Sequence, residues 1–161
     1  MKRSRWTAGT LALAALAGAG AFAFHKVMVS LNAARALAES PENKTTAGVD
    51  KDQNGIRDEV DALIAKEYQA TPAQTKAAQN LARILQITAQ SGEMTRPEAL
   101  VLANKASDAI GCFMSATSEE KMSSQTMKLI DFTFNTAERQ KNDRRYSTLL
   151  SGQAFTIKDC K

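Results

Sequence analysis

The sequence predicts an all-α fold, a small bundle of four to five helices preceded by an N-terminal signal or anchor segment and a calcium-type loop. Apolar residues recur at helical spacing in successive segments from Val60 onward, several of them opened by a capping residue. Alternating strand patterning is confined to a few residues, with Ala154 to Ile157 the only candidate. The chain has 161 residues, 43% apolar and 24% charged, with three prolines and eight glycines. That is the range of one ordinary globular domain and too short for a two-domain enzyme.

The first element is an address. Lys2, Arg3 and Arg5 precede an uncharged stretch from Trp6 to Phe24 rich in Ala, Leu, Gly and Phe, the order of an export signal, with small-residue cleavage sites at Ala19 to Ala21 and Ala21 to Ala23. Left uncleaved, the same nineteen residues approach the roughly 20 needed to anchor in an inner membrane with the basic end inside. Both outcomes place residues from about 25 onward in the periplasm or another extracytoplasmic space. Residues 1–24 are therefore read as signal peptide or signal anchor, and 25–49 as a juxtamembrane helix and polar linker. Residues 50–161 are read as the helical domain.

This division changes the charge. The formal balance is +4, and the sequence pI of about 9.2 invites a polyanion partner. Taking the three basic residues of the leader from the 21 leaves 18 against 17 acids. Acids concentrate between residues 39 and 67 and bases after 138, a polarity typical of a solvated or internally balanced surface. Only Tyr146 and Phe155 interleave the basic end, too few for base stacking, so nucleic acid is excluded as a partner.

Ser40 to Gly48 is polar, contains Pro41, and reads as the linker. Val60, Leu63, Ile64 and Tyr68 form a first helical face. Thr71 and Pro72 supply a cap and first-turn proline for a second helix, with a face of Ala77, Ala78, Leu81, Ile84, Leu85 and Thr88 and Gly92 at its end. Thr95 with Glu98 fits a capping box for a third, whose stripe is Ala99, Leu102, Ala103, Ala106, Ile110 and Phe113. Ser118, followed by Glu119 and Glu120, opens a fourth with Met122, Met127, Ile130, Phe134 and Ala137 inward. Its pattern runs on through Arg139 to Leu150, which leaves the count at four or five. The Met and Phe positions read as core filling, and no internal repeat is visible.

One motif carries chemistry. Residues 50 to 61 place side-chain oxygens at loop positions 1, 3, 5, 9 and 12, from Asp50, Asp52, Asn54, Asp58 and Asp61, with Gly55 at position 6. A hard cation needs six to eight oxygens, and glycine permits the sharp turn after which the carbonyl of Ile56 can face the metal. Four carboxylates so close repel one another, and a divalent ion offsets that repulsion. The competing reading is an acidic, Asx-rich turn capping the next helix.

The loop resembles the calcium loops of EF-hands, dockerins and thrombospondin type 3 repeats, over these twelve residues, and is most similar to the thrombospondin type. It departs from a standard EF-hand in two places. Arg57 stands where an apolar residue pairs loops, and Asp61 is shorter than the usual Glu at position 12. These departures disfavour a paired sensor and place affinity near the roughly 10⁻⁴ to 10⁻³ M of extracellular modules. The wider stretch Asn54 to Val60, with Asn135 to Arg139, Leu150 to Gly152 and the late Cys160, resembles an uncharacterised family of exported proteobacterial proteins. That resemblance implies an extracytoplasmic location and brings no activity with it.

Cys112 and Cys160 are the only thiols, and export makes a disulfide between them the default. Over a span of 48 residues it is worth roughly 4 kcal/mol in the chain-entropy model. The single histidine, His25, lies early in the chain, so neither a nucleophilic cysteine nor a Ser-His-Asp arrangement has its base. Asp108, Asp131 and Glu138 could meet as general acid and base, although their spacing does not favour this over surface charge. Glu138 and Arg139 read as a salt-bridged surface or packing network with Arg144 and Arg145 nearby.

The sequence therefore predicts an exported, calcium-stabilised helical interaction or scaffold domain with a protein partner of unknown identity. A small hydrolase or lyase built on paired carboxylates, and a periplasmic inhibitor or regulator, are the alternatives.

Overall fold

The computed structural model describes residues 40–158 and Cys160. The leader at 1–24 and the juxtamembrane stretch at 25–39 lie outside the described residues. Residues from Pro41 onward form one compact unit. A 3₁₀ turn at Pro41–Asn43 is followed by five helices: α1 (Asp58–Glu67), α2 (Pro72–Gln90), α3 (Arg96–Ala116), α4 (Glu119–Thr133) and α5 (Ala137–Leu149). No strand occurs among the described residues, and Ala154 to Ile157 is irregular. Among those residues, no helix is long and apolar enough to cross a membrane.

α2 and α3 start where their caps dictate. The Thr71 hydroxyl accepts the Gln74 N–H at 3.1 Å, ahead of Pro72 in the first turn of α2. Glu98 accepts both the N–H and the hydroxyl of Thr95, at 2.8 and 2.7 Å, which fixes the start of α3. α2 ends at Gln90, two residues before Gly92, and the Ser91 hydroxyl closes it by donating to the carbonyl of Thr88.

α2 is central and packs against each of the other four helices. The core joins Ile56, Val60, Ile64 and Tyr68 to Ala77, Ala78, Leu81 and Ala82 of α2, to Phe113 of α3 and to Leu129 of α4. The small residues on α2 let neighbours approach closely, while Tyr68 and Phe113 supply bulk with ring centroids 5.8 Å apart. The Tyr68 hydroxyl donates to the carbonyl of Gln125 at 2.7 Å, and burial pushes its pKa up to about 12.

Two expectations are corrected here. The helical pattern from Ser118 to Leu150 is broken in two, because Phe134 leaves helical geometry and Thr136 caps a new helix by accepting the Arg139 N–H. The inward face of α4 is Leu129 and Thr133 with Phe134 just beyond, whereas Met127 and Ala137 are exposed. Polar contacts set that rotation: Gln125 donates to the carbonyl of Glu67 and accepts from Gln74, fixing α4 against α1 and α2.

The segment 41–49, read as a linker, is a strap laid on the helices. Gln86 donates to the carbonyl of Ala47, and Arg139 donates to the carbonyls of Thr45 and Thr46 and to Asn43 Oδ1. The strap thus satisfies two buried polar side chains through its backbone, a role invisible in residue type.

Candidate functional site

The acidic loop lies between the strap and α1. Gly55 has φ +84 and Gln53 φ +57, so the backbone turns twice through the left-handed region within three residues. Glycine meets that demand at no steric cost at position 55, the sixth of the loop. Ile56, next in sequence, is fully buried in the core, and Arg83 of α2 donates to the Asn54 carbonyl at 2.8 Å. These two attachments hold the loop to the rigid part of the bundle.

Asn54 is the hub. Its backbone N–H donates to Asp50 Oδ1 and Asp52 Oδ1 at 3.1 and 3.2 Å. Its side-chain amide donates to Asp52 Oδ2 at 3.0 Å and Asp61 Oδ2 at 2.6 Å, while its Oδ1 accepts the Ile56 N–H. The Gly55 N–H donates to Asp50 Oδ2 at 2.9 Å. Asp50, Asp52 and Asp61 are therefore each tied by hydrogen bonds to Asn54. Asp58 is turned to Lys51, accepting its backbone N–H and pairing with its ammonium, both at 3.0 Å. Ile56 contributes its side chain to the core. Among the described residues, no three Asp, Glu, His or Cys side chains converge as a ready metal cage.

The electrostatics follow this division. Burial raises the pKa of Asp61, the neighbouring carboxylates of Asp52 and Asp50 raise it further, and the amide of Asn54 and the charge of Arg83 oppose them. The Asp58 carboxyl is held below its usual value, mainly by the hydrogen bond from the Lys51 backbone.

Arg57, which departs from the apolar residue of a standard loop, is fully buried. It donates to the carbonyls of Phe132 and Thr133 at the C-terminus of α4 and to Gln86 Oε1, and pairs with Glu59 at 3.0 Å. The guanidinium thus satisfies the orphan carbonyls of a helix end. Arg139 is also fully buried and approaches the same Glu59 carboxylate at 3.8 Å, with Asn135 bonded to both. Of the two readings for Glu138 and Arg139, Arg139 belongs to a buried packing network while Glu138 is exposed and pairs with Lys141. Sequence reasoning missed the Arg57 to Arg139 connection. The available signal was Arg57 wedged between the core residues Ile56 and Val60.

Asp108 on α3, Asp131 on α4 and Glu138 on α5 are all exposed, and Asp108 and Glu138 pair with Lys158 and Lys141. The helices instead offer an open apolar groove of about 410 Å³ lined by Ile87, Met94, Pro97, Val101, Leu102 and Lys105, where Ile87 is 48% and Val101 59% exposed. The sulfurs of Cys112 and Cys160 are 2.05 Å apart, so the disulfide closes as predicted. Comparison with family models, curated proteins and solved structures finds no match to this chain.

Proposed function

We propose that the chain is an exported, calcium-stabilised helical interaction domain, acting on the extracytoplasmic side either as a soluble protein or held by its N-terminal segment in the inner membrane. The observation that carries this reading is the gathering of Asp50, Asp52 and Asp61 around Asn54, beside a glycine in the left-handed turn that such a loop needs. The Asn54 amide supplies the positive end of a dipole to two carboxylates. A bound cation would take the place of that NH₂ as the positive partner of Asp52 and Asp61, while Oδ1 keeps the Ile56 N–H. With Asp50, Asp52 and Asp61 the loop then offers an all-oxygen donor set suited to calcium, completed by the carbonyl of Ile56 and by Asp58 once it leaves Lys51.

A structural role for the ion is favoured over signalling. The loop is single, and its exit is fixed by Ile56 in the core and Arg57 on the end of α4, so filling it rigidifies elements already in place. An interaction role is favoured over hydrolase or lyase chemistry because the three carboxylates available for it are exposed on separate helices. The resemblance to exported proteins and the Cys112 to Cys160 bond support the location.

The test is thermal unfolding of the mature chain in calcium and in chelator, beside an Asp50→Ala, Asp52→Ala variant. A ligand that binds only the folded state raises stability by RT ln(1 + [L]/Kd), about 1.4 kcal/mol when calcium is tenfold above Kd. The wild type gains that increment and the variant does not. Equal unfolding temperatures for the wild type with and without millimolar calcium would overturn the calcium reading.

A further inference from the structure

Among the described residues, the chain leaving α5 is held where Arg96 donates to the carbonyls of Leu149 and Ser151, at 2.8 and 3.5 Å, and few non-covalent contacts follow beyond that point. Residues 153–158 run without regular structure, and among the described tail residues all but Phe155 are exposed. The ion pair between Lys158 and Asp108, at 3.8 Å, joins two exposed side chains and adds little. Ordering such a segment costs conformational entropy that its small apolar burial does not offset. The covalent bond from Cys160 to Cys112 therefore does most of the holding.

The tail sits very close to α3. A Cβ built on Gly111 would overlap the carbonyl oxygen of Lys158 and stand 3.3 Å from the Ile157 side chain. Gly111 is thus a seat for tail backbone, one residue before the disulfide. Both cysteines also border an open groove of about 480 Å³ between α2 and α3, shared with Lys76, Asn80 and Ser115. Cys160 is exposed and Cys112 half-buried.

We infer that the Cys112 to Cys160 disulfide is a reducible latch, opened in the folded protein by a dithiol reductant, and that its opening frees the tail from the Gly111 seat. The groove gives an incoming thiolate a path to the exposed sulfur. A thiolate of the dithiol attacks Cys160 Sγ, the disulfide bond breaks, and its electron pair leaves on Cys112 Sγ, with the Lys76 ammonium in the same groove to favour the thiolate. The second thiolate of the dithiol then attacks the mixed disulfide and releases Cys160 as a thiolate. The dithiol loses two electrons and becomes a disulfide. Cys112 and Cys160 gain two electrons and take up its two protons. The attacking nucleophile is a thiolate supplied from outside, so the absence of a histidine after His25 is no obstacle. This latch is independent of the calcium loop.

The experiment uses the full chain in dithiothreitol without denaturant, alkylated with iodoacetamide and weighed intact, with ¹H–¹⁵N heteronuclear NOE values recorded on the same sample. Both cysteines should be alkylated, and residues 153–158 should move from ordered to random-coil NOE values while the signals of α1 to α5 stay in place. Cys160→Ser should show the free tail without reductant. Gly111→Ala, which fills the seat, should show a displaced tail. The inference is overturned if the disulfide yields only in denaturant, if tail NOE values are unchanged after reduction or in Cys160→Ser, or if the helices unfold together with the tail.

Discussion

Arg57 and Arg139 meet at one carboxylate: both guanidiniums are fully buried, and Glu59 lies 3.0 Å from the first and 3.8 Å from the second. Arg57 holds the end of α4, Arg139 holds the strap, and Glu59 stands in the first turn of α1. Three segments distant in sequence thus depend on one polar cluster, in which a truncation removes several charge-assisted hydrogen bonds from a buried site.

Arg139→Gln should therefore lower the unfolding free energy by about 3 to 5 kcal/mol, the range for breaking a buried ion pair. Lys141→Gln, on the exposed face of the same helix, should change it by less than about 0.5 kcal/mol. Urea titration followed by circular dichroism separates the two.

Stability should fall as pH rises from 10 towards 12. The folded-state pKa of Tyr68 is raised from 10.0 to about 12, so its neutral form is favoured in the folded protein. Its contribution is complete below pH 10 and is lost as pH climbs through the interval, up to about 2 to 3 kcal/mol. Comparing wild type with Tyr68→Phe across that range isolates the effect, and the variant should show the shallower slope.

Capping should matter unequally. Thr136→Ala should cost about 1 kcal/mol, since its hydroxyl accepts the Arg139 N–H at the start of α5. Ser118 makes no side-chain cap bond at the start of α4, so Ser118→Ala should be close to neutral. Chemical denaturation of the two single variants checks this directly.

Gly55→Ala should destabilise by about 1 kcal/mol or more, because φ +84 strains a residue with a Cβ. Space alone is no obstacle, since the added Cβ would meet Arg83 Cγ at 3.7 Å, an ordinary van der Waals contact. Gly92→Ala, at a glycine without positive φ, is the control; its Cβ would have Asn142 Oδ1 at 3.6 Å as neighbour.

Local signals gave the helices well. Thr71 with Pro72 and Thr95 with Glu98 announce their starts because capping is settled within four residues. The stripes of α2 and α3 were readable because one face of each is apolar enough to stand out. The sharp turn at Gly55 was readable for the same reason: it is settled within a few consecutive residues. Arg57 and Arg139 could not be read this way. Arginine is ordinarily a surface residue, and its burial here depends on carbonyls and amides from the strap, α2 and α4. The facing of α4 escaped for a related reason: Gln125 orients it through polar bonds, where hydrophobic periodicity favours Met127. The strap escaped because it contributes mainly carbonyl oxygens, which every sequence possesses.

That last point bears on the order in which the molecule is completed. Asn43, Thr45 and Thr46 are made before any of the five described helices, yet their donor, Arg139, lies on α5. Pairing α2 with α3 needs only a short connection, and Gln86 can take up Ala47 as soon as α2 forms, whereas the bonds that Arg139 donates to Asn43, Thr45 and Thr46 close a loop of nearly the whole domain and must wait for α5. The beginning of the domain is thus fixed by its end, and a chain halted before residue 139 would leave the strap without the guanidinium that anchors it.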